Sequence, residues 1–156
     1  MKILVFISIV LVAFCFMEFM AWFSHKYVMH GFMWKFHKDH HQKVSRWLPI
    51  ELNDIFVVIY AVPSWLFIMY GVMDGYDYKL PIGIGILLYG FAYFFVHEII
   101  VHNRLKWNFK SENKYMRAVR RAHKVHHSYL QKDPSDNFGF VFLIPSKYFK
   151  DSFKEE

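Results

Sequence analysis

Cysteine is almost absent from this sequence: Cys15 is the single thiol in 156 residues. It has no partner, which excludes an intrachain disulfide and a structural zinc site built on several thiolates. Charge is missing from two long stretches, Ile55 to Met73 and Leu80 to Val96, and a third, Ile3 to Phe23, is apolar apart from Ser8 and Glu18. Taken as helix, the first stretch spans about 30 Å, the thickness of a bilayer's hydrocarbon core. The chain is 55% hydrophobic and 21% aromatic, and three such runs in so short a chain read as membrane spans, not as the buried helices of a soluble protein. A small-x-small cleavage site is lacking after the first run, which argues against a removable signal. Linkers and low-complexity tracts are lacking too, so residues 1–156 read as one domain.

Charge then orients the spans. With three of them, 24–54 and everything from His97 onward share one side, opposite Met1, Lys2 and the 74–79 loop. Of 19 Lys and Arg, 17 fall on the first side, leaving only Lys2 and Lys79 opposite. By the positive-inside rule that side is cytoplasmic. A fourth span is hard to place, because Phe138 to Ile144 is seven residues long and runs into Pro145 and Lys147; it suits an interfacial segment. The expected fold is therefore an all-α integral membrane protein of three, at most four, transmembrane helices with a cytoplasmic histidine-rich helical cap.

What the chain does have is histidine, all of it in four clusters. His25 and His30 lie in HKYVMH, His37, His40 and His41 in HKDHH, His97 and His102 in HEIIVH, and His123, His126 and His127 in HKVHH. A five-step pair followed by an H-x-x-H-H triplet thus occurs twice. On a helix the three imidazoles of a triplet share one face. Residues five apart diverge by about 140° on a regular α-helix, so each pair either reaches toward two metals or sits where the helix loosens, as near Gly31. Imidazole is the commonest ligand of first-row transition metals, and ten of them suffice for two ions. A contiguous histidine tag, an H-E-x-x-H protease helix and a bis-histidine haem held within the spans are all absent.

The pattern predicts a first helix from about Lys2 to His30, with Gly31 as its stop, and a second from Trp34 to Lys43. A third runs from an Asn53 cap to Met73 through a Pro63 kink, and a fourth from Pro81 to His102, with Gly83, Gly85 and Gly90 for close packing. A fifth, from Glu112 to Tyr129, precedes the Asp133-Pro134 loop. Four carboxylates lie near the clusters. Glu18 stands inside an apolar span, where a charge is costly and usually functional, seven residues from His25 on one helix face. Glu98 and Asp54 are further candidates to orient imidazole N–H groups or balance metal charge. Asp39, beside His40, reads at least as well as a solvated surface charge.

HKYVMH, HKDHH, FVHEIIVH and AHKVHH, together with MEFMAWFSHKYVMHG, LLYGFAYFFVHEIIVHNR and DNFGFVF, resemble the β-carotene hydroxylases, a branch of the membrane fatty acid hydroxylase and sterol desaturase superfamily. The compact length is similar to that of the bacterial members. The resemblance implies a non-haem di-iron oxygenase that places a hydroxyl at C3 of a β-ionone ring, taking β-carotene through β-cryptoxanthin to zeaxanthin and extending to canthaxanthin. It implies all ten histidines as ligands of two irons, dioxygen as co-substrate, and electrons from ferredoxin or an NAD(P)H-linked reductase. The setting implied is a bacterial cytoplasmic membrane, with carotenoid, lipid and an electron-transfer protein as partners and no nucleic acid. Phe16, Met17, Phe19, Met20, Trp22 and Phe23 are candidate linings for the apolar substrate. A sterol or acyl-chain hydroxylase or desaturase, and a non-enzymatic metal-binding membrane protein, are the competing readings.

Overall fold

The computed structural model describes residues 1–42, 50–104, 113–133 and 135–150. Lys43, Glu112, Pro134 and Glu156 lie outside the described residues. The described chain is helical. Helix α1 (Ile3–Phe23) continues through a π-helical segment (Ser24–Phe32) into α2 (Trp34–His41); a 3₁₀ turn (Leu52–Asp54) opens α3 (Ile55–Met73). Helix α4 (Lys79–Tyr93) runs into a second π-helical segment (Phe94–Val101), and α5 (Lys114–Ser128) is followed by a 3₁₀ turn (Ser146–Phe149).

Three continuous helices, Ile3–Phe32, Leu52–Met73 and Lys79–Val101, are long and apolar enough to cross a membrane. Their surfaces are inverted relative to a soluble bundle. Leu4, Val12, Trp65 and Phe91 face outward, while Glu18, His25, Ser64 and His97 are buried. This is the distribution expected of an integral membrane protein, whose apolar side chains meet lipid while its polar groups satisfy one another inside.

Helix α4 is the central span, packed against both α1 and α3. Two glycines make this possible. A Cβ on Gly83 would stand 2.8 Å from the Ser64 carbonyl of α3, and one on Gly85 would stand 2.6 Å from the Ala13 side chain of α1. Ser64 uses the proximity to donate to the Gly83 carbonyl at 2.8 Å. Gly90, expected to act likewise, has open space around its Cβ position, so it takes no part in close packing.

Several boundaries differ from expectation for local reasons. Asn53 does not cap α3. Glu51 and Asp54 form a capping box around the 3₁₀ turn, and the Asn53 side chain is diverted to His37. Pro63 lies within a continuous α3, and Asn113 caps α5 through the Tyr115 amide at 2.8 Å. The 138–144 segment is not a span: it turns back against the bundle, where Phe140 packs with Met17, Ala21 and Tyr89, while Phe142 and Leu143 stay exposed. Beside it, Ala118 and Ala122 of α5 close over Tyr148.

The glycine contacts generate a test. Gly83→Val and Gly85→Val force helices apart and should each destabilise the protein by about 1–3 kcal/mol, whereas Gly90→Ala should be neutral or slightly stabilising. Thermal melts in detergent check the order, and a loss for Gly90→Ala equal to the others would contradict it.

Candidate metal centre

The five-step pairs meet because the helices beneath them are wound differently. His25 and His30 lie in one π-helical segment, and His97 and His102 bracket the end of the other. The His102 amide donates to the His97 carbonyl at 3.0 Å and that of Met33 to Val28 at 2.9 Å, both five residues back. Such a bond stacks residue i over i+5, which an α-turn does not. At Gly31 the backbone leaves helical geometry altogether, with φ −99° and ψ −124°. Of the two readings of the spacing, loosening is the one realised, and each pair serves a single cluster.

The nitrogens of His25, His30, His37, His41 and His126 lie within 4.8 Å of one another, and so do those of His40, His97, His102 and His123. These are two groups that could each hold a metal ion. The triplets are shared between them. From α2, His37 and His41 enter the first group and His40 the second; from α5, His126 enters the first and His123 the second. His127 lies over the second group, its ring centroid 4.4 Å from His123, 4.6 Å from His40 and 4.9 Å from His102, and it also stacks on His41 at 4.5 Å. The single ligand face expected of each triplet is thus a dividing ridge.

Hydrogen bonding settles the tautomers of the first group. Nδ1 donates to the Phe138 carbonyl from His25 (3.2 Å), to Lys132 from His30 (3.0 Å), to Tyr129 from His41 (2.9 Å) and to Asp136 from His126 (2.8 Å). His37 donates to Asn53 Oδ1 at 2.6 Å. Oxygen acceptors require the proton on Nδ1, so every Nε2 carries a lone pair. Yet His25 and His37, His41 and His37, and His30 and His126 approach Nε2 to Nε2 at 3.2, 3.2 and 3.3 Å. Lone pairs so placed repel one another, whereas nitrogens about 2.1 Å from one ion stand about 3.0–3.4 Å apart. The donor set fits a transition-metal ion.

In the second group the Nε2 atoms of His40 and His97, and that of His127 beside them, are buried without a hydrogen-bond partner. Such orphans are costly unless something absent from the polypeptide meets them. Burial, more than any other cause, lowers the pKa of every histidine of the cap: His41 to about 4 and His102 to about 3, with His37, His40, His123, His126 and His127 also lowered. These seven imidazoles are neutral at pH 7, the form that binds metal.

The carboxylates are distributed unevenly. Glu98 Oε1 accepts from His97 Nδ1 at 2.7 Å, and Oε2 accepts from Arg104 at 2.9 Å. Asp54 reaches the site at one remove, through Arg104, which it grips at 2.8 and 3.0 Å, and through the Glu51 amide, from which it accepts at 3.0 Å. Asp39 is buried, not a solvated charge, and accepts from the Leu52 amide at 2.7 Å, which ties α2 to the start of α3. Glu51 holds His40 Nδ1 at 2.8 Å. Sequence reasoning missed it; its one signal was the Glu-x-x-Asp spacing of the capping box. Burial pushes Glu51 up to about 7, opposed by Arg104 and reinforced by Glu98, Asp39 and Asp54; a cation beside His40 would pull it back down.

Glu18 is fully buried and bonded to none of the imidazoles among the described contacts. Its carboxyl oxygens instead accept from the amides of Phe140, Val141, Phe142 and Leu143 at 2.9–3.1 Å and from Tyr89 Oη at 2.7 Å. The reason is the re-entrant segment, whose irregular backbone packs against the first span and needs an acceptor for its N–H groups. Glu18 supplies it and so acts on the histidines at one remove. The segment it holds places Phe140 against His25 (4.6 Å, stacked) and His97 (5.2 Å), and Phe138 edge-on to His25, His30 and His126. Of the expected linings, Met17 is buried beside Phe140, while Phe16, Phe19 and Phe23 are more than 40% exposed toward lipid.

Glu18→Leu leaves four amides and a hydroxyl unsatisfied, at about 1–3 kcal/mol each, and should abolish stable accumulation. Glu18→Gln retains an acceptor and should keep a measurable fraction of folded, metal-loaded protein. Membrane yield and metal content report the difference; a higher yield of Glu18→Leu would contradict the clamp.

The sequence matches the family described as Fatty acid hydroxylase over residues 10–150. A beta-carotene hydroxylase of Pantoea ananas is 35% identical over 129 residues, 83% of this chain and 72% of the relative. One from Paracoccus sp. (strain PC1) is 31% identical over 143 residues, 88% of this chain and 84% of the relative. The chloroplastic beta-carotene 3-hydroxylase of Gentiana lutea is 38% identical over 117 residues, 72% of this chain but 35% of that longer protein. No solved structure matches.

Proposed function

The chain belongs to the fatty acid hydroxylase family, and from that membership we propose that it is a carotenoid β-ring 3-hydroxylase with a histidine-held di-iron site, active as the single domain 1–156. The observation that supports this most directly is the convergence of five deprotonated Nε2 atoms beside a second group with two orphaned ones and that of His127 next to them, in a chain resembling proteins named for β-carotene hydroxylation. Two irons bound there would supply the activation of dioxygen that side chains cannot. The net reaction inserts one oxygen atom into a ring C–H bond and reduces the other to water with two electrons and two protons. Both β-carotene and 4-keto rings such as those of canthaxanthin are substrates in this reading.

The protein's own residues have three tasks. Phe138, Phe140 and Tyr93 form an aromatic wall on the bilayer side of the histidines, which suits a substrate with no polar handle. Oxygen acceptors hold seven of the imidazoles, those of His25, His30, His37, His40, His41, His97 and His126, at one tautomer, so these need no reorganisation. Electrons arrive from ferredoxin or an NAD(P)H-linked reductase at the basic face of α5, where Arg117, Arg120, Arg121 and Lys124 line a cavity of about 300 Å³ on the helix that also bears His123, His126 and His127. Such a face complements an acidic carrier. The 17-to-2 charge bias supports a cytoplasmic position for this side, with a bacterial cytoplasmic membrane as the setting in this reading.

Expression in a carotene-accumulating bacterial host should convert β-carotene through β-cryptoxanthin to zeaxanthin, read by chromatography. His40→Ala, His41→Ala and His126→Ala should each abolish the product with the protein still in the membrane. Abundant membrane protein with hydroxylated lipid and no hydroxylated pigment would instead identify an acyl or sterol substrate.

The orientation has its own check. A cytoplasm-active reporter fused after Glu156 should function, and the 74–79 loop should be labelled from outside the cell; labelling from inside would reverse the assignment.

A further inference from the structure

The two histidine groups differ in what stands behind them. Every described Nδ1 partner in the first group is a neutral oxygen: four backbone carbonyls, the Asn53 amide and the Ser135 hydroxyl, which lies 3.1 Å from His126 Nδ1. The nearest charges there cancel, since the Asp136 carboxylate is paired with Lys147 and Asp133 and Lys132 act on His30 with opposite sign. In the second group both described Nδ1 partners are carboxylates, Glu51 behind His40 and Glu98 behind His97. Asp54 adds a third negative charge, and Arg104, bonded to Glu98 and Asp54, offsets one.

We infer that the groups hold their ions unequally: the group of His40, His97, His102 and His123 is the tighter site and stabilises the higher ionic charge. The inference rests on the reading that each group holds an ion. A carboxylate accepting the outer N–H of an imidazole raises the basicity of the inner nitrogen and adds negative potential at the ion, and loss of such a partner typically costs 10–100-fold in metal affinity. A neutral carbonyl fixes the same tautomer without that charge. Ligand number does not cancel the difference, because His127 beside the second group brings its imidazoles to five, equal to the first. The arrangement makes division of labour a property of the protein: one ion is held and favoured in its more oxidised state, while the other is the more easily reduced and the more readily lost.

The test uses the full chain in lipid nanodiscs, loaded with ferrous iron and titrated with a chelator while bound metal is counted. Wild type should release two ions in separate steps. Glu51→Gln with Glu98→Gln should weaken the tighter step 10–100-fold and merge it with the other. Asn53→Asp, which places a carboxylate behind His37, should strengthen the weaker step, a gain that structural damage does not produce. Mössbauer spectra of the one-electron-reduced protein should show one ferric and one ferrous ion, and the double variant should raise the potential at which the ferric ion is reduced. Two ions leaving together in wild type, or carboxylate variants that weaken only the first-released ion, would overturn the inference and leave the two-ion reading intact. A wild-type stoichiometry of one would overturn both.

Discussion

Ten imidazoles gathered at the end of three apolar helices confront the fold with one electrostatic problem, the mutual repulsion of their lone pairs. Elsewhere histidines relieve it by protonation, but burial lowers the pKa of His37, His40, His41, His102, His123, His126 and His127, so a metal cation is what would relieve it. Much of the surrounding structure reads as preparation for that cation. The π turns bring paired histidines together, the ridges of α2 and α5 divide the triplets, and a row of carbonyls and carboxylates holds the protons on the far side of most of the rings. The cap is stable to the extent that the ion rewards what its ligands lose on ordering.

The membrane supplies the second constraint. Helices satisfy their own backbones and need only small contacts to associate, which Gly83 and Gly85 provide. The chain then adds one irregular segment at depth, and that segment needs Glu18. An ionisable residue inside a span commonly marks a transport path or a reacting group. Here it serves as a substitute for backbone: a carboxyl group accepting from consecutive amides performs the task that carbonyls perform in a helix.

Three spans, their limits and the histidine clusters were legible because each is a local pattern repeated often enough to exclude accident. The pair spacing was half legible. Five residues is wrong for an α-turn, and only the backbone shows that helix winding, not a second metal, accommodates it. Asp39 and Asn53 were misread because their partners, the Leu52 amide and His37, lie across an intervening stretch of chain. Glu51 looked like an ordinary residue at a helix start, and its contact with His40 depends on how α2 meets α3. The re-entrant segment has no periodicity, and its acceptor lies more than 120 residues earlier, so nothing in its own sequence declares its depth.

That separation in sequence is also a separation in time. Glu18 enters the bilayer with the first helix, while the amides that receive it, at 140–143, are 122–125 residues further along the chain. At about 5–20 residues per second of synthesis, the carboxyl group spends on the order of ten seconds in lipid before its partners exist. A charged form would carry an insertion cost of roughly 2.5–3.5 kcal/mol throughout that interval. The first helix must therefore cross with this group unpaired, and the arrival of the last segment ends the wait. A chain stopped before residue 140 would lack all four amides that Glu18 accepts from, so the first span gains its full set of partners only when the last segment arrives.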